Sequence, residues 1–132
     1  EVDIWGDGEA RREFMFAEDL ADFVFYAVDN FERMPSNLNV GLGRDYTINE
    51  YYETIAEVVG FKGEFNHDLS KPVGMKRKLI DDSKLKAFGW NYKTELKAGI
   101  KKTYDFYISI FFKILYLSVG IQSKHCNNLL SF

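Results

Sequence analysis

The sequence predicts a mixed α/β domain with elements in the order ββα-βα-βαα, and three observations carry that prediction. Short segments such as "VDIW" and "GEFNHDL" read as strands bounded by turn residues. Between them lie longer segments whose apolar residues recur at spacings of three and four, the pattern of an amphipathic helix. The connections are short, with no internal repeat and no low-complexity linker, so the 132 residues suit one domain with length enough for a core.

Each element has a local cause. "VDIW" meets Gly6-Asp7-Gly8, a turn signal, and "REFMF" resumes as a second short strand. From Ala17 the period changes, and Leu20, Phe23, Val24, Ala27, Val28 and Phe31 mark one face of a helix. Glu18 and Asp19 suit the positive end of its dipole, and Met34-Pro35-Ser36-Asn37 breaks it. "LNVG" reads as a strand running into the loop "GLGRDY". Thr47 then opens a second helix through a capping box with Glu50. Ile48, Tyr51, Tyr52, Ile55, Val58 and Val59 line its inner face, and Gly60 is placed to end it. "GEFNHDL" and "KLID" read as strands on either side of a basic loop. Asp82 or Ser83 caps a short helix that stops at Gly89. Thr94 caps the last helix, whose face is Leu96, Ile100, Tyr104, Tyr107, Ile108 and Phe111. The tail "SVGIQSKHCNNLLSF" has no sustained period and is expected to be poorly ordered.

Composition excludes several classes. Hydrophobic residues make up 46% and aromatics 17%, which is a folding composition. The 12 Phe, 8 Tyr and 2 Trp need cover, either an aromatic-rich core or a partner surface. With 17 Lys+Arg against 20 Asp+Glu and a net charge of −3, no basic face dominates, which argues against a nucleic-acid binder. The lone Cys126 excludes an intrachain disulfide framework and fits a reducing, cytoplasmic setting. No signal peptide is visible in "EVDIWGDG", and a start inside a strand reads as a missing N-terminal portion. "FYISIFFKILYLSVGI" has 16 residues with a lysine inside, short of the ~20 apolar residues of a spanning helix. A packed helix is the better reading, and no membrane partner is expected.

The chemistry must come from a few constellations. "LSKPVGMKRK" gathers Lys71, Lys76, Arg77 and Lys78 around a Pro-x-Gly turn, either as a solvated loop or as a seat for an anion. "GLGRDY" follows a strand and precedes a helix, but it lacks the third glycine of a dinucleotide fingerprint, and "GDGEAR" fails in the same way. His67 and His125 lie far apart and Cys126 has no cysteine partner, so no metal-ligand spacing exists; His67-Asp68 reads as a structural pair. None of the eight tyrosines has a lysine four residues on, so the chain carries no Tyr-x-x-x-Lys acid-base pair. Arg11 and Arg12 stand beside a Gly turn, and strand alternation sends them to opposite faces. One of them can offer a planar fork to a phosphate, unless Arg12 makes a local bridge with Glu13 or Glu18. Trp5 is either core or a stacking platform.

Taken in order, "IWGDGEARREFMFAEDLAD", "LNVGLGRDYTINEYYETIAEVVGFKGEF", "DLSKPVGMKRKLIDDSKLKAFGW" and "ELKAGIKKTYDFY" resemble the C-terminal portion of the GDP-L-fucose synthase family. These are NADP-dependent epimerase-reductases among the extended short-chain dehydrogenase/reductases. The resemblance runs from about Val2 to Tyr107. It implies an α/β substrate-binding region over residues 1–107, without the N-terminal Rossmann half. Residues 108–132 would be a helix continuation and a non-family tail, partly disordered. The NADPH loop, the catalytic Ser-Tyr-Lys set and the epimerisation Cys and His would all lie in the absent half, so this piece alone is expected to be inactive. Trp5 and Arg12 match the family's contacts to the nucleotide sugar, and Lys78 a lysine near the diphosphate, with Arg77 beside it. Val73 stands where the family often has a substrate-contacting Asp. The implied ligand is the GDP-sugar GDP-4-keto-6-deoxy-D-mannose, and the full-length family tends to form homodimers. A non-catalytic remnant, or a part of a sister enzyme such as a GDP-colitose synthase, is the alternative.

Overall fold

A computed structural model describes residues 1–119. Its elements are β1 (Val2–Trp5), β2 (Arg11–Arg12), α1 (Ala17–Asp29), a 3-10 turn (Phe31–Arg33), β3 (Tyr46–Thr47), α2 (Ile48–Val59), β4 (Phe65–Asp68), β5 (Arg77–Lys78), α3 (Ser83–Phe88) and α4 (Leu96–Val119). The chain divides into two units, Glu1–Lys101 and the part from Lys102 onward. The predicted tail beyond residue 119, with His125 and Cys126, lies outside the described residues.

Two small sheets organise the first unit. β1 and β4 pair in parallel, from Val2↔Phe65 to Trp5↔Asp68. The other sheet has the order β3-β2-β5: β2 is antiparallel to β3 and parallel to β5, with Arg11↔Arg77 and Arg12↔Lys78 in register.

The strands are shorter than the sequence predicts, for a physical reason. "REFMF" leaves the ladder after Arg12 because the Glu13 carboxylate takes over as acceptor. Its oxygens accept from the Leu42 and Gly43 amides, both at 2.9 Å, and from the Ile80 amide at 3.0 Å. "LNVG" is accordingly not a strand, and "KLID" contributes only Lys78 to β5. A side chain does here what a ladder was expected to do.

Helix ends follow the sequence closely in one case. Thr47 Oγ1 accepts from the Glu50 amide at 3.0 Å and the Glu50 carboxylate accepts from the Thr47 amide at 2.6 Å, while Gly60 closes α2 with φ of +72°. At α3 the N-cap is Asp82, one of the two candidates, but its side chain makes no cap hydrogen bond; Asp81 accepts from the Ser83 amide at 2.9 Å instead. The Thr94 amide and hydroxyl donate to the buried Asp19 of α1, at 3.0 and 3.1 Å.

The main buried cluster is Phe23, Leu85, Phe88 and Trp90, with Met15, Tyr26, Met34, Leu38, Val40 and Tyr92 packed around it. Trp90 meets Phe23 edge-on at 5.4 Å and donates its indole N–H to Asp22 at 2.8 Å. Lys93 and that indole hold the Asp22 carboxyl below its ordinary value. The α1 face is a correction to the sequence reading. Phe23 is buried and Ala27 partly so, whereas Leu20, Val24, Val28 and Phe31 are 47–68% exposed. In the second unit, α4 carries exposed Phe106, Tyr107, Phe111 and Phe112, with the rings of Tyr107 and Phe111 6.3 Å apart. Among the described residues no helix is long and apolar enough to cross a membrane.

Candidate functional site

The site is built on the turn after β1. Gly6 and Gly8 both have positive φ, +77° and +72°, and both are places where neighbours close in. A Cβ on Gly6 would stand 1.8 Å from Val73, and one on Gly8 would stand 1.9 Å from the Asn49 side chain. Only glycine serves at either position. Asn49 donates its side-chain amide to the Asp7 carbonyl and the Glu9 carboxylate, and its oxygen meets His67 Nε2 at 2.8 Å. His67 thus has a structural role, but with Asn49 rather than the neighbouring Asp68.

Between this turn, β2 and the N-terminal half of α2 opens a cavity of about 460 Å³. Trp5, Arg12, Tyr51, Tyr52, Pro72 and Val73 are among its walls. Phe14, which also lines the cavity, stacks on Tyr51 with ring centroids 3.8 Å apart and planes 3° from parallel. Trp5 is 63% exposed, so it is not a core residue. Lys71 Nζ lies 5.8 Å from the centre of its ring and 3.9 Å from Asp68.

Arg12 is the cation of the cavity. Its guanidinium donates to the Arg11 carbonyl at 2.7 Å and reaches the basic turn, with Nη2 4.0 Å from where a Cβ on Gly74 would stand. The local bridge to Glu13 or Glu18 does not form: Glu13 is occupied by backbone amides, and Arg12 has no carboxylate within ion-pair distance among the described residues.

Arg11 and Arg77 have the opposite fate. Both reach Asp45, whose side chain is 4% exposed, at 2.8 and 2.5 Å. The hydrogen bonds of Arg77 and then Arg11 hold the Asp45 carboxyl below its ordinary value against the opposing effect of burial, and Asp45 raises Arg11 in turn. Of the residues named from sequence, Trp5, Arg12 and Val73 meet in the cavity. Lys78 lies beside Arg12 in register without lining it, and Arg77 is turned away to Asp45. Tyr51 and Tyr52, read as the inner face of a helix, face the cavity instead, and Asp45 was not singled out at all. Its signal was a lone acid inside "GRDY", which no spacing rule separates from a loop carboxylate.

Neither glycine loop is open as a phosphate cradle. The Leu42 and Gly43 amides of "GLGRDY" are taken by Glu13, and Asn49 fills the space over Gly8. The described residues hold no cluster of His, Cys, Asp or Glu arranged for a metal ion.

The profile of the NAD dependent epimerase/dehydratase family matches residues 1–41. The chain is 62% identical over 109 residues to GDP-L-colitose synthase of Yersinia pseudotuberculosis, covering 83% of this chain and 35% of that protein. It is 50% identical over 108 residues to GDP-L-fucose synthase of Azorhizobium caulinodans, covering 82% and 35%. Among solved structures, the GDP-mannoheptose C4 reductase of Campylobacter jejuni with NADP bound superposes with a TM-score of 0.71 at 41% identity, over 80% of this chain and 34% of that one. The UDP-glucose 4-epimerase of Thermotoga maritima with UDP-glucose gives 0.71 at 27% identity, over 84% and 36%. The chain therefore spans about a third of the length of the relatives it matches.

Proposed function

The chain belongs to the extended short-chain dehydrogenase/reductases of the epimerase/dehydratase type, and on that premise we propose that it carries the nucleotide-sugar side of a GDP-L-fucose or GDP-L-colitose synthase-like enzyme. The observation that carries the proposal is the cavity where an exposed Trp5 and an Arg12 with no ion pair among the described residues face the same space. A GDP-sugar presents a flat base and two adjacent phosphates. Arg12 supplies charge-assisted, bidentate hydrogen bonds to a phosphate, and the Trp5–Tyr51–Tyr52 wall supplies flat apolar surface for a ring.

In a complete GDP-L-fucose synthase-like enzyme, epimerisation at C3 and C5 precedes NADPH-dependent reduction at C4. This chain binds and orients the substrate, while the cofactor and the acid-base groups belong to a further portion of the relatives' length. The exposed apolar side chains of α1 and the 3-10 turn after it, Leu20, Val24, Phe25, Val28 and Phe31, support such a portion, since they leave apolar surface without cover. The colitose reading draws on Val73, an apolar wall where the resemblance led one to expect Asp. Colitose has one hydroxyl fewer than fucose, and an apolar wall leaves no polar group unpaired against it.

Tryptophan fluorescence tests the proposal on the 132-residue chain. GDP is expected to quench Trp5 saturably, and Trp5→Phe is expected to abolish that response while the buried Trp90 keeps its emission. A folded chain whose fluorescence ignores millimolar GDP contradicts the proposal.

A further inference from the structure

The ladder between β2 and β5 is two residues long and carries four cations, Arg11, Arg12, Arg77 and Lys78. Directly paired residues of a parallel ladder project to the same side, and neighbours along a strand project to opposite sides. Arg11 and Arg77 therefore share one face, and Arg12 and Lys78 share the other. The first face is neutralised: Asp45 accepts from Arg11 Nε at 2.8 Å and Arg77 Nε at 2.5 Å, its carbonyl accepts from Arg11 Nη2 at 3.0 Å, and Glu50 lies 3.8 Å from Arg11. On the second face neither Arg12 nor Lys78 has an ion pair among the described residues.

Little else holds β5 where it is. Every residue from 69 to 79 is exposed, so burial contributes little to the position of this segment. Its backbone receives the Arg11 amide at the Lys76 carbonyl, 2.7 Å. Among the described residues, Arg77 with Asp45 is the one side-chain hydrogen bond or ion pair linking 69–79 to anything beyond the adjacent Asp68. Without the Asp45 charge, Arg11 and Arg77 would be like charges set directly opposite, an arrangement that drives paired strands apart.

We infer that Asp45 is a positioning residue. Its buried carboxylate neutralises one face of the β2/β5 ladder and so fixes the register that leaves Arg12 and Lys78 side by side as a two-cation seat for a diphosphate. This rests on the nucleotide-sugar reading above. The direct ligand groups are Arg12 and Lys78; Asp45 acts through Arg77.

Calorimetry with GDP on the 132-residue chain tests it as a double-mutant cycle. Asp45→Asn is expected to weaken GDP about tenfold, the loss of one well-placed charged hydrogen bond, and to do so by less than about twofold in a Lys78→Ala background. The same fold-loss in both backgrounds, or no loss in either, overturns the inference. A wild-type chain that shows no affinity for GDP sinks the nucleotide-sugar reading instead. The positioning role is then decided by trypsin, with cleavage after Arg77 and Lys78 expected several-fold faster in Asp45→Asn under native conditions, and equal rates overturning it. Where Asp45→Asn does not fold by circular dichroism, Arg77→Gln, an exposed substitution, takes its place in both measurements, with cleavage then read after Lys78.

Discussion

Arg12 and Arg11 are adjacent and chemically identical, yet their surroundings assign them different work. Arg11 faces a buried carboxylate and is structural; Arg12 faces the cavity and forms no ion pair among the described residues. Arg12→Ala is accordingly expected to weaken GDP about tenfold or more, while Lys76→Ala, on the exposed loop, changes affinity by less than about twofold. Asp45 makes a separate prediction about pH. Its folded-state pKa is depressed by Arg77 and Arg11, so on acidification the unfolded chain takes up the proton first. The stabilisation it lends is complete above the ordinary Asp value of about 4 and is lost as pH falls from there through the folded value. Urea melts should show the gap between wild type and Asp45→Asn closing toward acid. A gap of constant size from neutral to acid pH contradicts that assignment.

At the scale of elements, α2 was the most legible from sequence and the sheets the least. A capping box and a terminal glycine are local chemistry, and both stand where Thr47, Glu50 and Gly60 predict them. Thr47→Ala is expected to cost about 1 kcal/mol in chemical denaturation. Leu85→Ala, in the centre of the buried cluster, is expected to cost about 2–5 kcal/mol. The strands misled because their pairing is not local. A ladder of two residues leaves no alternation to read, and Glu13 satisfies amides at positions 42, 43 and 80 that a longer strand would have bonded. The periodicity of α1 marks an apolar face, but periodicity does not say what covers it, and most of that face is exposed. Phe25→Gln and Val28→Gln on that face should change the stability of this chain by no more than about 0.5 kcal/mol while reducing self-association in sedimentation. A loss of several kcal/mol from either would mean that the face is already covered.

At the scale of the whole molecule, the chain spans about a third of the length of the relatives it matches, and the part proposed for it is a binding surface. Trp5 and Arg12 came from resemblance and were placed in one cavity by the turn at Gly6 and Gly8; Tyr51 and Tyr52 joined them because α2 lies over that turn. Lys78 stands beside Arg12 by strand register, which no reading of spacing could supply. The isolated chain is expected to oxidise no NADPH with the 4-keto sugar, and to contribute only when joined to a portion that binds the cofactor. The central claim, that the Trp5–Arg12 cavity holds a nucleoside diphosphate, is tested most directly by calorimetric titration of GDP into the wild-type chain and into Arg12→Ala. Saturable binding by the wild type, weakened about tenfold or more by the substitution, is the predicted result. Equal affinity in the two folded proteins, or no heat of binding at millimolar GDP, would contradict it.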